Sequence, residues 1–355
     1  MEGIRAALFG VAHPHSRPHL RTLQHSSLVS DIVLYDEDPA VLEQIRTAHE
    51  EKIKAAYTDL DQLLQEEDLF LGIATFRNDL NADLCVRLAE AGVHILSEKP
   101  IGLSALEIER VVAAADTAGV KLGVMYQNRY HPVSQEARRL IQEGVLGQIT
   151  SCEARLVTSQ VQFRNPDHWL FCKAQAGGGI LSWLGCHYID LLRYALRDEI
   201  VSITALADTL GGESIDVEDV ASVSFRFKGG ALGSLLAGYQ LALSIKGYIG
   251  PNYDTYVGVW GTEGRLFWQP TATSTDLYVE SAGQTWKAAP ARTFEFNLPS
   301  LDAYGGVYGL AFVEDFILAA KGEGAVPATG ADALQVARII EAAYASNETG
   351  RRVDL

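Results

Sequence analysis

The sequence predicts an α/β protein in two parts: an N-terminal doubly wound parallel sheet, then a C-terminal α+β domain with a large, mostly antiparallel open sheet. Three observations predict it. Short apolar runs alternate with helical stretches as far as Met125, and period-2 strands joined by Gly-rich turns dominate after it. The chain's 355 residues, 48% hydrophobic and 21% charged, supply enough apolar material for two cores and exclude a disordered chain.

Ile4–Gly10 is an apolar run that stops at glycine, and Ile32–Tyr35 is another that stops at Asp36. Leu69–Ala74, Val93–Leu96 and Val120–Met125 repeat the form. Runs apolar on both faces suit a parallel sheet covered by helices on each side. Asp79–Ala91 and Ser104–Ala118 read as two of those helices. Ser104 with Glu107 forms a capping box, and Gly92 and Gly119 stand where C-cap glycines belong. After Met125 a helix over Pro132–Glu143 leads to an alternating stretch, Gln148–Thr158, and a second helix follows Gly177–Gly179. Strands are expected at Val201–Ala207, Ala221–Phe227, Ala231–Tyr239, Thr255–Trp260 and Arg265–Trp268, with closing helices at Val307–Ala320 and Ala331–Ser346. No low-complexity linker or internal repeat interrupts the chain, so the expected division is 1–126 and 127–355.

Acidic residues outnumber basic ones, 45 against 29, for a formal charge of −16. A chain this acidic has no general attraction for a phosphate backbone, which argues against nucleic acid as a partner. No apolar run reaches the ~20 residues of a membrane helix, and the N-terminus lacks the regions of a signal peptide. Cys85, Cys152, Cys172 and Cys186 are far apart with no CxxC pair, as reduced thiols in a cytoplasmic protein would be.

The first strand–helix turn is where such a fold holds a dinucleotide pyrophosphate, through a G-x-G-x-x-G pattern. Here it reads Gly10-Val11-Ala12-His13-Pro14-His15, so the first glycine survives, Ala12 still permits close approach, and His15 departs from the pattern. Asp36 ends the second strand, where a carboxylate accepts hydrogen bonds from ribose hydroxyls. With Glu37 and Asp38 it would repel a 2′-phosphate, favouring NAD over NADP. His13, His15 and His19 allow two readings. They could ligate zinc, as an HxH pair does in metal-dependent hydrolases, but the later strand ends offer Thr75-Phe76-Arg77-Asn78 and Ser97-Glu98-Lys99 rather than more ligands. The reading taken is that they line the cofactor loop or cap the first helix, with no metal. Glu98-Lys99-Pro100 follows the Val93–Leu96 strand at its carboxyl end, where open parallel sheets place their ligand crevice. A lysine there can reach both a nicotinamide ring and a bound hydroxyl.

A second constellation runs from Gly177-Gly178-Gly179 to Trp183, His187 and Asp190, which share a helix face at i, i+4, i+7 from Ile180 on. A histidine on such a face can act as general acid–base. Trp169, Trp183, Tyr188 and Tyr304 are candidates for an aromatic wall against a sugar.

These motifs together resemble those of the glucose–fructose oxidoreductase, inositol dehydrogenase and MocA (Gfo/Idh/MocA) family over nearly the whole chain. Ala74-Thr75 with Asn78 is similar to that family's A-T-P-N loop with one extra residue, and Glu98-Lys99-Pro100 to its EKP signature. The Gln127–Pro132 segment, the Gly144–Ile149 segment and the glycine run leading to His187 and Asp190 resemble its domain junction and substrate helix. The resemblance implies an NAD(P)-binding Rossmann domain, a substrate-binding and oligomerisation domain, and hydride transfer at a carbinol carbon of a sugar, cyclitol or related polyol. It implies that Lys99 and His187 are catalytic. Gly10, Ala12, His13, His15, Asp36, Thr75, Asn78, Glu98 and Lys99 would lie at the cofactor, and Lys99, Trp169, Trp183, His187 and Asp190 at the substrate. Dimers or tetramers through the C-terminal sheet are implied as well.

One departure matters. The family's acidic residue four before the histidine is Trp183 here, an indole with one N–H donor and an apolar face. The leading expectation is an NAD-dependent sugar or polyol dehydrogenase or reductase. Two others stand beside it: glycoside cleavage assisted by transient oxidation without net redox, and a non-catalytic NAD- or sugar-binding regulator.

Overall fold

The computed structural model describes residues 3–48, 52–243, 253–270 and 274–355. Its first sheet contains β1 (Ile4–Phe9), β2 (Val29–Tyr35), β3 (Ile53–Tyr57), β4 (Leu71–Ala74), β5 (His94–Ser97) and β6 (Leu122–Val124), all parallel, in the order β3-β2-β1-β4-β5-β6. The order reverses between β1 and β4, which sets the ligand crevice at the carboxyl ends of those strands. Ala6, Ala7, Leu8 and Phe9 of β1 are wholly buried, as a central strand covered on both faces must be. The connecting helices are α1 (Ser16–His25), α2 (Pro39–Ala48), α3 (Leu60–Glu66), α4 (Asn78–Glu90) and α5 (Ala105–Ala118). The caps follow local chemistry: Asp59 accepts from the Asp61 and Gln62 amides at α3, and Ser104 accepts from the Glu107 amide at α5. The Glu107 carboxylate reaches back to the Leu103 N–H, one residue before the cap. Gly119 closes α5 at φ +71°, where a side chain would be strained.

Beyond β6 come α6 (Pro132–Gln142), β7 (Ile149–Ser159), the short α7 (Lys173–Ala176) and α8 (Cys186–Leu196). β8 (Ile200–Asp208), β9 (Val220–Phe227), β10 (Leu232–Leu241), β11 (Asp254–Gly261), β12 (Gly264–Trp268), β13 (Ser274–Ser281), β14 (Ala291–Asn297) and β15 (Val353–Asp354) join β7 in one nine-stranded sheet. Its order is β14-β13-β12-β11-β7-β10-β9-β8-β15. β7 and β10 pair in parallel and every other neighbour is antiparallel, the mostly antiparallel sheet the sequence predicted. One face is core and the other open: on β9 Ala221, Val223, Phe225 and Phe227 are buried while Ser222, Ser224 and Arg226 are exposed.

By packing, the chain divides into one unit of residues 1–127 with 300–334 and another of 128–299 with 335–355. The sequence reading assigned all of 127–355 to one domain. In the structure α9 (Gly306–Ala320) belongs with the first sheet instead. The Val124 amide donates to the Ala328 carbonyl, and Gly123 bridges Thr329, so the returning segment adds backbone hydrogen bonds at β6. α10 (Gly330–Thr349) runs from that segment into the second unit. Among the described residues no helix is long and apolar enough to cross a membrane.

Candidate active site

The first strand–helix turn is built from inside. Gly10 sits at φ +85°, and a Cβ there would press on the Thr75 carbonyl and the Phe76 ring, so only glycine fits. The Thr75 hydroxyl donates to the carbonyls of Phe9 (2.7 Å) and Gly10 (2.9 Å), lacing the ends of β1 and β4 together. Thr75 is thus a strut of the crevice, and Asn78 is buried in the first turn of α4. The loop's main-chain donors are largely engaged within it: the His13 amide bonds to the Gly10 carbonyl, the His15 amide to His13 Nδ1 and the Ser16 amide to the His13 carbonyl. The Ala12 amide donates to Asp36 Oδ2 (2.9 Å), and Asp36 Oδ1 accepts from the Asp38 amide (3.0 Å). The carboxylate expected to meet ribose is therefore held in place by the very turn that precedes α1. Each of its oxygens keeps acceptor capacity for a hydroxyl. Parallel strand order, a glycine at the obligatory tight turn and an acidic end to β2 together fit a dinucleotide.

Glu98, at the carboxyl end of β5, organises the histidines. Its Oε1 is 3.0 Å from His15 Nδ1 and 2.7 Å from His19 Nε2, and its Oε2 accepts the Lys99 amide. Tyr304, in the returning segment, places its hydroxyl 3.2 Å from His15 Nδ1 and stacks on the His19 ring at 4.2 Å between centroids. His15 occupies the N-cap position of α1, but its side chain does not cap the helix; it goes to Glu98. His15 and His19 share one carboxylate oxygen of Glu98, and among the described residues no group of three or more His, Cys, Asp and Glu is placed to hold an ion. Burial pushes the Glu98 carboxyl up, but the two histidines outweigh it and hold it well below the ordinary 4.5. Burial pushes His15 and, more strongly, His13 below 6.5, and the neighbouring Lys99 ammonium lowers both further. Lys99 itself is 1% exposed, ahead of a cis bond to Pro100. The cluster thus centres on a buried carboxylate, with the buried Lys99 next to it in the chain. The sequence grouped His19 with His13 and His15 but did not pair it with Glu98, and it offered Tyr304 for a sugar wall, because Tyr304 arrives from more than 200 residues away.

In the second unit, the helix after the glycines begins with a π-helical turn over Leu181–Gly185 that passes into α8. Regular i, i+4, i+7 spacing from Ile180 was therefore not the geometry at Trp183, because a π turn takes more residues than an α turn. His187 and Asp190 lie on regular α-helix and are both buried. Asp190, expected to position substrate or histidine, is clamped by Arg129: Nε donates to Oδ2 at 2.9 Å and Nη2 to Oδ1 at 2.5 Å. Such a bidentate buried pair fixes the helix firmly. Trp183 is 2% exposed and meets Trp169 edge-on, ring centroids 5.8 Å apart. Of the four aromatic residues considered for a sugar wall, these two are brought together, whereas Tyr304 belongs to the histidine cluster.

This combination of a dinucleotide fold and a buried lysine at the carboxyl end of β5 defines the class of nicotinamide-dependent oxidoreductases. Residues 4–126 match the oxidoreductase family with an NAD-binding Rossmann fold, and residues 134–267 match the GFO/IDH/MocA C-terminal domain. The chain belongs to the Gfo/Idh/MocA family. It is 27% identical over 331 residues to levoglucosan dehydrogenase of Pseudarthrobacter phenanthrenivorans, covering 84% of this chain and 83% of that one. It is 25% identical over 354 residues to inositol 2-dehydrogenase of Rhizobium meliloti, covering 99% of each. The solved structure of levoglucosan dehydrogenase in complex with NADH and levoglucosan superimposes at a TM-score of 0.85, with 23% identity over 100% of this chain and 99% of that one. At that identity the likeness is one of fold.

Proposed function

We propose that this protein is an NAD-dependent dehydrogenase, or a reductase in the opposite direction, acting on a secondary hydroxyl of a sugar, cyclitol or related polyol. The observation that carries it is Lys99: a lysine 1% exposed at the crevice end of a dinucleotide fold, its main-chain amide bonded to the buried Glu98 carboxylate. The relatives named for levoglucosan and inositol support the substrate class. NAD, when bound, supplies the hydride acceptor. The chain's own residues do the rest. Asp36 takes ribose hydroxyls, Gly10 and Ala12 let the backbone approach the pyrophosphate, and Lys99 donates a hydrogen bond to the reacting oxygen. His187 takes the hydroxyl proton, a task suited to an imidazole near neutral pH. Trp169, partly exposed, presents apolar ring surface to the carbohydrate, and the buried Trp183 backs it.

Replacing Lys99 by Met removes the donor while keeping much of the stem. It should cut turnover by about 10²–10³-fold while NADH still binds. Reduction of NAD followed at 340 nm across levoglucosan, myo-inositol and common aldoses reads this out, and a fully active Lys99→Met enzyme overturns the assignment. Stoichiometric NADH accumulation in the same assay separates net oxidation from redox-assisted glycoside cleavage.

We further infer that the open face of the nine-stranded sheet is a self-association surface and that the protein works in the cytoplasm. Leu206, Leu232 and Leu236 are exposed there, beside a ring ladder of Tyr256, Phe267 and Tyr278. The cysteines form no disulfide, which fits a reducing compartment. Light scattering should report a dimer or tetramer that Leu236→Arg dissociates; a monomeric wild type refutes the surface, and secretion on cell fractionation refutes the location.

A further inference from the structure

The helix that carries Trp183, His187 and Asp190 starts on one residue from elsewhere in the chain. The Gly179 amide donates to Glu218 Oε2 (2.8 Å), the Leu181 amide to Glu218 Oε1 (2.9 Å), and between them the Ile180 amide donates to the Glu218 main-chain carbonyl (3.1 Å). Three successive donors at a helix amino end, which have no acceptors within the helix itself, are thus satisfied by one glutamate placed just before β9. The Tyr344 hydroxyl of α10 donates to Oε1 of the same carboxylate (3.0 Å). The glycine run is explained by this contact: a Cβ on Gly178 would collide with the Tyr344 hydroxyl, and a Cβ on Gly179 with the Glu218 carbonyl.

What the contact controls is rotation. Directly after the pinned amides comes the π turn at Leu181–Gly185. Were that turn to relax to α-helix, the extra residue it accommodates would be lost and every later side chain would swing about the axis by roughly 100°. Downstream, Arg129 holds Asp190. His187 lies between the two fixed points. A negative carboxylate at the amino end also complements the helix dipole.

We propose that Glu218, held by Tyr344, is a positioning residue for catalysis: it clasps the amino end of the substrate helix, keeps the π turn in register and so sets the direction of the His187 imidazole. The inference rests on His187 as the proton acceptor. It adds a residue pair, distant in sequence from the motifs above, that decides whether that imidazole is in reach.

The test compares Glu218→Ala, Glu218→Gln, Tyr344→Phe and His187→Ala with wild type, using NAD and whichever polyol of the panel turns over fastest. Histidine side chains are followed by NMR, the His187 signal being assigned with His187→Gln. Glu218→Ala should lower kcat by about 10²-fold, the cost of misplacing a reacting group by about 1 Å, with NADH affinity unchanged. The His187 signal should move while those of His15 and His19 stay. Glu218→Gln, whose amide oxygen still accepts one N–H, should return kcat to within about tenfold of wild type. A purely structural glutamate would lower the amount of folded enzyme and leave kcat per folded molecule and the His187 signal as they were; that result overturns the clasp. If Glu218→Ala fails to fold, Tyr344→Phe decides: a shifted His187 signal with reduced kcat supports the clasp, and wild-type values of both refute it. A fully active His187→Ala enzyme brings down the acid–base reading and the clasp with it. An inactive His187→Ala enzyme beside normal Glu218 and Tyr344 variants brings down the clasp alone.

Discussion

The Asp36 carboxylate fastens the turn that precedes α1, and in the proposed function it would meet the ribose as well. One oxygen receives the Ala12 amide of the phosphate loop and the other the Asp38 amide, so the side chain that would select the ribose also fastens the turn. Replacing it by Ser should therefore do more than exchange one nucleotide for another. Losing hydrogen bonds to a charged acceptor costs about 1.5–3 kcal/mol, so NADH affinity should fall by at least about tenfold, while NADPH, freed from a repelling charge, binds better relative to NADH. Fluorescence titration with both nucleotides measures this, and an unchanged NADPH-to-NADH ratio refutes the selective role. At this scale the sequence was most informative about placement fixed locally: Gly10 at its turn, Asp36 at its strand end, Lys99 directly after β5. It was least informative where a side chain is held by a distant partner. Nothing near Asp190 announces Arg129, and nothing near His15 announces Tyr304.

At the scale of elements the same division holds. Strands buried on both faces, such as β1 and β5, stand out as unbroken apolar runs, and α5 announces both its ends through Ser104 and Gly119. β3 escaped the sequence reading because it is a sheet edge: its residues alternate between partly and fully exposed, so Ile53–Tyr57 carries no apolar run. β14, at one edge of the larger sheet, shows the same alternation and was missed in the same way. The helix after the glycines was legible but its geometry was not. Apolar periodicity over five residues does not separate a π turn from an α turn; tertiary contacts with Glu218 and Arg129 stand on either side of the choice. The glycines at 178 and 179 are required by contact with Tyr344 and Glu218, which no local pattern announces.

For the whole molecule, acidity poses two opposing demands. A formal charge of −16 with a sequence pI near 5.0 means that lowering the pH relieves self-repulsion and, by itself, favours the folded state. The buried cluster of the first unit acts the other way. His13 and His15 are held below 6.5 in the folded protein, so as pH falls through 6.5 the unfolded chain takes up protons that the folded one refuses. Glu98 is held below 4.5, so its contribution is present above that value and is lost as pH falls further. Each pKa unit of displacement corresponds to about 1.4 kcal/mol, whereas repulsion between exposed charges is largely screened beyond about 8 Å at physiological salt. The buried groups should therefore win. Melting temperature is expected to be flat above pH 7, to decline from about pH 6.5 and to fall more steeply below about 4.5. Glu98→Gln removes the carboxylate's own titration and takes from His15 and His19 a charged acceptor, so the steep acid limb should flatten as overall stability drops. Calorimetry at fixed 0.15 M salt across pH 8 to 4 measures both curves. A wild-type melting temperature that rises steadily toward pH 5 would show that net charge, not the Glu98 cluster, governs acid stability.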